Sequence, residues 1–120
     1  MGGDFMQLKP VKIYTAQYRY SGPDRLDITV KNGERIFAPT WNMVMSFKNG
    51  QLSKKAYIKQ YYALMRWSYK RNKSRWLDVL NRERVVLTCY CGSGEFCHRI
   101  LLAKILEKLG GKYMGEVGNE

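Results

Sequence analysis

The chain predicts an α/β fold: a small three-layer, Rossmann-like domain with a mainly parallel sheet and a C-terminal βαβ unit. Three observations predict it. Residues 84–91 form a continuous apolar run with β-branched members, the mark of a strand covered on both faces. A Gly-Ser-Gly loop and a helical pattern from Cys97 to Leu109 follow, closed by Gly110-Gly111. A short last strand, 113–117, completes strand, helix and strand, which in one sheet implies a parallel crossover. At 120 residues there is room for one domain. A hydrophobic content of 45% and a charged content of 26% are those of a globular core rather than of a disordered chain.

The remaining elements read from the N-terminus. Residues 11–20 are rich in β-branched and aromatic types and predict a strand. Ser21-Gly22-Pro23-Asp24 marks a turn. Leu26, Ile28 and Val30 alternate with Asp27 and Thr29, which predicts a half-buried strand, and Asn32-Gly33 suggests that 25–37 continues as a hairpin. Pro39 can open a short helix that Asn49-Gly50 stops. Ser53 is a good N-cap for residues 54–72, which contain no Gly or Pro. At 100° per residue, Tyr57, Ile58, Tyr61, Tyr62, Leu64, Met65 and Tyr69 fall on one broad side. Lys55, Lys59, Arg66, Lys70 and Lys73 fall on a separate arc about 60° wide, a straight basic stripe if the helix is unbroken. Ser74 can cap a further short helix carrying Trp76, Leu77 and Leu80.

Twenty-one Lys and Arg against ten Asp and Glu give a net charge of +11, which predicts attraction to anionic ligands or polyanions. From Lys48 to Arg75 the chain carries nine Lys or Arg and no Asp or Glu. That run is a solvated face on the plain reading and a nucleic-acid surface on the functional one, with Trp67, off the apolar arc, as the stacking candidate. No run approaches the ~20 apolar residues of a transmembrane helix, and the N-terminus carries no export signal. A cytoplasmic location and no membrane partner are the expectations. No cofactor is implied, and the oligomeric state is not legible.

The three cysteines and the single histidine lie together: Cys89, Cys91, Cys97 and His98. Loops outside the carboxyl ends of strands are where ligands bind in open α/β sheets. There the first N–H groups of the helix lack partners, its dipole is positive, and Gly92 and Gly94 let a phosphate approach. Arg99 adds a bidentate fork. The same field can acidify the Cys97 thiol. The plain reading of His98 is a buried histidine that ties the helix to the sheet. Two structural readings of the cysteines stay open beside the functional one. Cys-x-Cys-x5-Cys-His offers four metal ligands, but the first pair is spaced more tightly than usual for zinc, so no metal is assigned. A Cys89–Cys97 or Cys91–Cys97 disulfide is the other. The phosphatase loop, with Cys and Arg six apart, is absent, since Cys91 and Arg99 are eight apart.

Val85-Val86-Leu87-Thr88-Cys89, then Cys97-His98-Arg99-Ile100-Leu101-Leu102-Ala103, then Gly110-Gly111 resemble the family called domain of unknown function 488. Ile13-Tyr14-Thr15-Ala16 followed by Arg19 is similar to that family's first strand. The resemblance carries across Cys89, Cys97, His98 and Arg99, and implies an α/β fold without an established activity. Where the family often has an acid two residues after the first cysteine, this chain has Cys91.

Two functions of different class are therefore expected. In the first, the protein binds or processes a phosphorylated ligand, a nucleotide or a nucleic-acid end. Arg99, Arg19 and the loop glycines Gly92 and Gly94 hold the anion, and Cys97 or Cys89, with His98, carries the chemistry. In the second, Lys55, Lys59, Arg66, Lys70, Lys73 and Trp67 bind nucleic acid without catalysis.

Overall fold

The structure, a computed structural model, describes residues 9–90 and 97–117. Strand β1 (Lys12–Gln17) is followed by β2 (Arg25–Asp27), three helices α1 (Trp41–Lys48), α2 (Lys54–Arg71) and α3 (Lys73–Leu80), strand β3 (Arg84–Cys89), helix α4 (His98–Lys108) and strand β4 (Lys112–Glu116). The sheet order is β2-β3-β1-β4 and every pairing is parallel. This is the small Rossmann-like α/β fold that the sequence predicts. In β3, Val86 and Thr88 are as buried as Val85 and Leu87, so the strand is covered on both faces. The crossover from β3 through α4 does not return to its neighbour, however. β4 pairs with β1, which lies between them.

The segment after β2 departs most from expectation. No hairpin forms at Asn32-Gly33. The strand stops at Asp27 because its carboxylate accepts from both the Thr29 amide (2.9 Å) and the Thr29 hydroxyl (2.8 Å), a local competitor of the sheet ladder. Gly33 then folds back on the strand end, its amide donating to the Thr29 carbonyl and the next amide, Glu34, to that of Asp27. A Cβ on Gly33 would stand 2.4 Å from the Asp27 carbonyl oxygen. The following residues are pinned to the helices. The Tyr61 hydroxyl donates to the Phe37 carbonyl (2.7 Å) and Ser68 to that of Ile36 (2.6 Å), while Arg75 pairs with Glu34 through two nitrogens.

The helices begin where their caps dictate. Thr40, one residue after Pro39, caps α1 by accepting from the Met43 amide, and Ser53 caps α2 by accepting from Ala56. Such caps are each worth about 1 kcal/mol. Tyr57, Tyr61, Met65 and Ser68 form the buried face of α2. The helix ends at Arg71, and Asn72 breaks it before α3, so Lys73 belongs to the next helix rather than to one straight stripe. Asn72, not Ser74, occupies the cap position of α3. Helix α4 lies against β1, β3 and β4, and α2 packs on α4. No helix among the described residues is long and apolar enough to cross a membrane.

Because the backbone under Gly33 belongs to β2 and its continuation, it cannot yield to a methyl group. Gly33→Ala is expected to lower stability by about 1–3 kcal/mol, read as a lower urea midpoint with an unchanged slope.

Candidate functional site

The carboxyl ends of the strands gather Cys89, Cys97, His98 and Arg99 at the first turn of α4. Cys97 is the N-cap of that helix, not part of its first turn, and its side chain caps nothing. Cys89 ends β3. The structure pairs the two cysteines sulfur to sulfur, both almost fully buried, with Cα atoms 7.8 Å apart. Relaxed disulfides span about 4.4–6.8 Å. Cys91, Gly92 and Gly94 lie outside the described residues.

His98 occupies the position of the plain reading. Its Nε2 stands 2.6 Å from the Ile28 carbonyl oxygen. A carbonyl only accepts, so Nε2 carries the proton and the histidine ties α4 to the end of β2. The lone pair of the neutral ring is then on Nδ1, which faces Cys97 Sγ at 3.9 Å. Burial pushes the His98 pKa down to about 4 against the Ile28 bond, with the Arg99 charge adding to the effect. The ring is neutral at physiological pH.

Arg99 is 1% exposed and engaged. Nε and Nη2 donate to the two oxygens of Glu116 at 3.2 and 2.9 Å, and Nη1 lies 3.2 Å from Cys89 Sγ. The anion it meets is a carboxylate of the protein. Arg19 is exposed beyond the end of β1 and makes no hydrogen bond or ion pair with a described residue. The structure does not bring the two arginines onto one group.

Glu116 is the site residue that sequence reasoning missed, and its placement has a backbone cause. The β1–β4 register shifts between Ile13 and Tyr14, so that Gly115 pairs with Tyr14 and Glu116 with Thr15. Gly115 has φ +118°, open to glycine and strained for other residues. In an unbroken strand, period two would place Glu116 opposite in face to Tyr113. The irregularity re-aims it and sets it beside Thr15, its partner in the register, whose hydroxyl is 2.8 Å from Tyr113 Oη. Burial alone would raise the Glu116 pKa, but the Arg99 guanidinium and the Thr15 hydroxyl outweigh it and hold the carboxyl below its ordinary value.

A cavity of about 480 Å³ opens over Cys97 and His98. Its walls include Trp41, Phe47, Tyr57 and Tyr90, and among the described residues Lys31 and Lys48 are the charged members of its lining. Trp41 and Tyr90 are 56% and 57% exposed. Tyr90 stacks on Tyr18 with ring centroids 4.2 Å apart, and Asn32 donates to its hydroxyl. The loop after β2 and helix α1 supply most of this wall. Neither carries a sequence motif, although Trp41 and Lys48 share the short helix that the sequence predicts.

Lys55, Lys59, Arg66, Lys70 and Lys73 are all exposed, as is Trp67, which Arg71 covers at 5.0 Å. They stand on the outer side of α2 and the start of α3.

Removing either partner of the Arg99–Glu116 pair tests its weight. Glu116→Gln leaves a buried guanidinium without its carboxylate and is expected to cost about 3–5 kcal/mol. Arg99→Met is expected to cost less, since the Glu116 side chain is already 26% exposed and can turn to water. Urea unfolding of the two variants gives the order. The lowered Glu116 pKa sets the pH dependence: this contribution is complete above the ordinary value of 4.5 and is lost as the pH falls through the depressed one.

The model of the Active DUF488-N3 subclade matches residues 7–110. No curated protein and no solved structure matches the chain. The match takes in β1 to β3, the Cys-His-Arg turn and helix α4, which is the whole framework of the site apart from Glu116, and the chain belongs to the DUF488 family.

Proposed function

We propose that the protein binds a phosphorylated ligand with a flat ring, a nucleotide or a nucleic-acid end, in the cavity above Cys97 and His98. One observation carries the reading: a concave site at the carboxyl end of a parallel sheet with aromatic walls and two lysines, and with no acid among the described residues of its lining. Ligands of open α/β sheets occupy this position. Exposed Trp41, and the side of Tyr90 away from Tyr18, offer faces for stacking, a sequence-tolerant contact worth about 1–3 kcal/mol per base. Lys31 and Lys48 take the role that the sequence suggests for Arg99 and Arg19, because Arg99 already answers Glu116. Cys97 and His98 form part of the same lining.

Quenching of tryptophan fluorescence by nucleoside monophosphates, with the parent nucleosides as controls, tests this. Binding is expected to need the phosphate. It weakens at least fivefold in Trp41→Ala, by the lower end of the stacking range, and further in Lys31→Ala with Lys48→Ala. Equal affinity for nucleoside and nucleotide, or unchanged binding in both variants, refutes the reading.

A second reading rests on the exposed basic face of α2. Trp67 is 56% exposed and has Arg71 stacked above it, an arrangement that can add a base to the stack. If Lys55, Lys59, Arg66, Lys70 and Lys73 all contact phosphates, log K falls against log salt with a slope of about −4. Reversing Lys59, Arg66 and Lys70 to Glu is expected to abolish the gel shift of single-stranded DNA or RNA at low salt. An unchanged shift counts against this surface.

A further inference from the structure

We propose that Cys89, Cys97 and His98 bind a zinc ion, with a fourth coordination position open toward the cavity. The two sulfurs and the histidine nitrogen lie within 4.8 Å of one another, and all three residues are buried. No fourth Cys, His, Asp or Glu joins them among the described residues. Two cysteines and one histidine are a ligand set of catalytic zinc, which keeps one place for water or substrate, whereas structural sites are closed by four protein ligands.

Three further features suit a metal. The first is the histidine. A metal-bound imidazole almost always donates its other N–H to a carbonyl or carboxylate, which fixes ring and tautomer. Ile28 holds Nε2 in this way at 2.6 Å and turns the Nδ1 lone pair toward the sulfurs. The second is the backbone. Cα atoms 7.8 Å apart are too far for a relaxed disulfide. Two thiolates at about 2.3 Å from a tetrahedral metal stand about 3.8 Å from each other, a separation that the wider backbone accommodates by letting the sulfurs part. The third is charge. Two thiolates neutralise Zn²⁺, and Glu116 neutralises Arg99, so the buried group is neutral as a whole. The Arg99 Nη1, 3.2 Å from Cys89 Sγ, then acts as an N–H donor to a metal-bound thiolate. The tight Cys-x-Cys spacing counts against zinc only if Cys89 and Cys91 form the pair. The fold instead pairs Cys89 with Cys97, eight residues on.

The open position faces the ligand cavity proposed above, but binding of the ion does not depend on that reading. The test separates the two. Protein purified under reducing conditions is expected to hold one zinc per chain, released when a mercurial titrates the thiols. Cobalt in its place gives a thiolate-to-cobalt charge-transfer band and the visible bands of a tetrahedral ion. Cys89→Ser, Cys97→Ser and His98→Gln each lose at least nine tenths of the metal, while Cys91→Ser keeps one equivalent. Far-UV circular dichroism checks that the variants fold, and the cobalt spectrum of the unmodified protein needs no variant. A reduced protein that stays metal-free in excess zinc and shows no cobalt bands overturns the site. Peptide mapping that finds Cys89 and Cys97 joined after reduction and exposure to zinc overturns it as well. Metal lost in Cys91→Ser overturns the open fourth position. Nucleotide quenching measured without zinc reports on the cavity alone, so either proposal can fail while the other stands.

Discussion

The Arg99 guanidinium sits where almost no water reaches it. An ion in such a place costs several kcal/mol unless an opposite charge and well-aligned hydrogen bonds answer it. Meeting that demand fixes the relative positions of three elements. The first turn of α4 must lie within reach of the end of β3, where Cys89 receives one N–H, and of the end of β4, where Glu116 receives two. Strand β1 separates β3 from β4, so the guanidinium bridges the width of a strand. The glycine-dependent shift at Gly115 exists on the same side, and it is what turns an edge-strand carboxylate inward.

His98, one residue before Arg99, does the complementary work with no charge at all. A second cation beside a buried guanidinium would be repelled as well as desolvated, and the neutral ring avoids both costs. It anchors α4 to the β2 side while Arg99 anchors it to the β4 side. The floor of the cavity is thereby fixed from both edges of the sheet, whereas its rim, carried by the loop after β2 and by α1, presents exposed rings and lysines. A framework that fixes the floor while loop and helix surfaces supply the contact groups is a common division of labour in ligand sites.

The β3–α4–β4 unit was legible because its signals are local: an apolar run, a glycine stop and a helical period within some thirty residues. The caps at Ser53 and the buried tyrosines of α2 were legible for the same reason. The loop after β2 was not, since Leu26, Ile28 and Val30 alternate as a strand should. The competitor was a single carboxylate, Asp27, that bonds Thr29, and a glycine used for close approach rather than for a hairpin. Arg99 was legible as a site residue but not as a partner of Glu116. Nothing near Glu116 in sequence marks it, and only the crossover and the register shift bring it to the helix. That a buried arginine needs an acid, and that 112–117 contains one, was the signal within reach. The cavity walls come from β2's loop, α1 and Tyr90, segments that meet only in the folded chain.

The sheet register has a kinetic side. Lys12 of β1 pairs with Arg84 and with Lys112, and Arg25 of β2 pairs with Val86, so no strand finds a partner nearby in sequence. Helices α1 to α3 can form early and locally, but the apolar strand β1 must wait for most of the chain. Sheets of such high contact order fold slowly, and their strands stay exposed to other chains meanwhile. Lys12, Arg84 and Lys112 then stand side by side at the start of three adjacent strands. In the folded sheet Asp24 answers Arg84 at 3.2 Å. In the unpaired chain each of the three is a charge at the head of a strand, the position at which charged residues disfavour pairing between molecules.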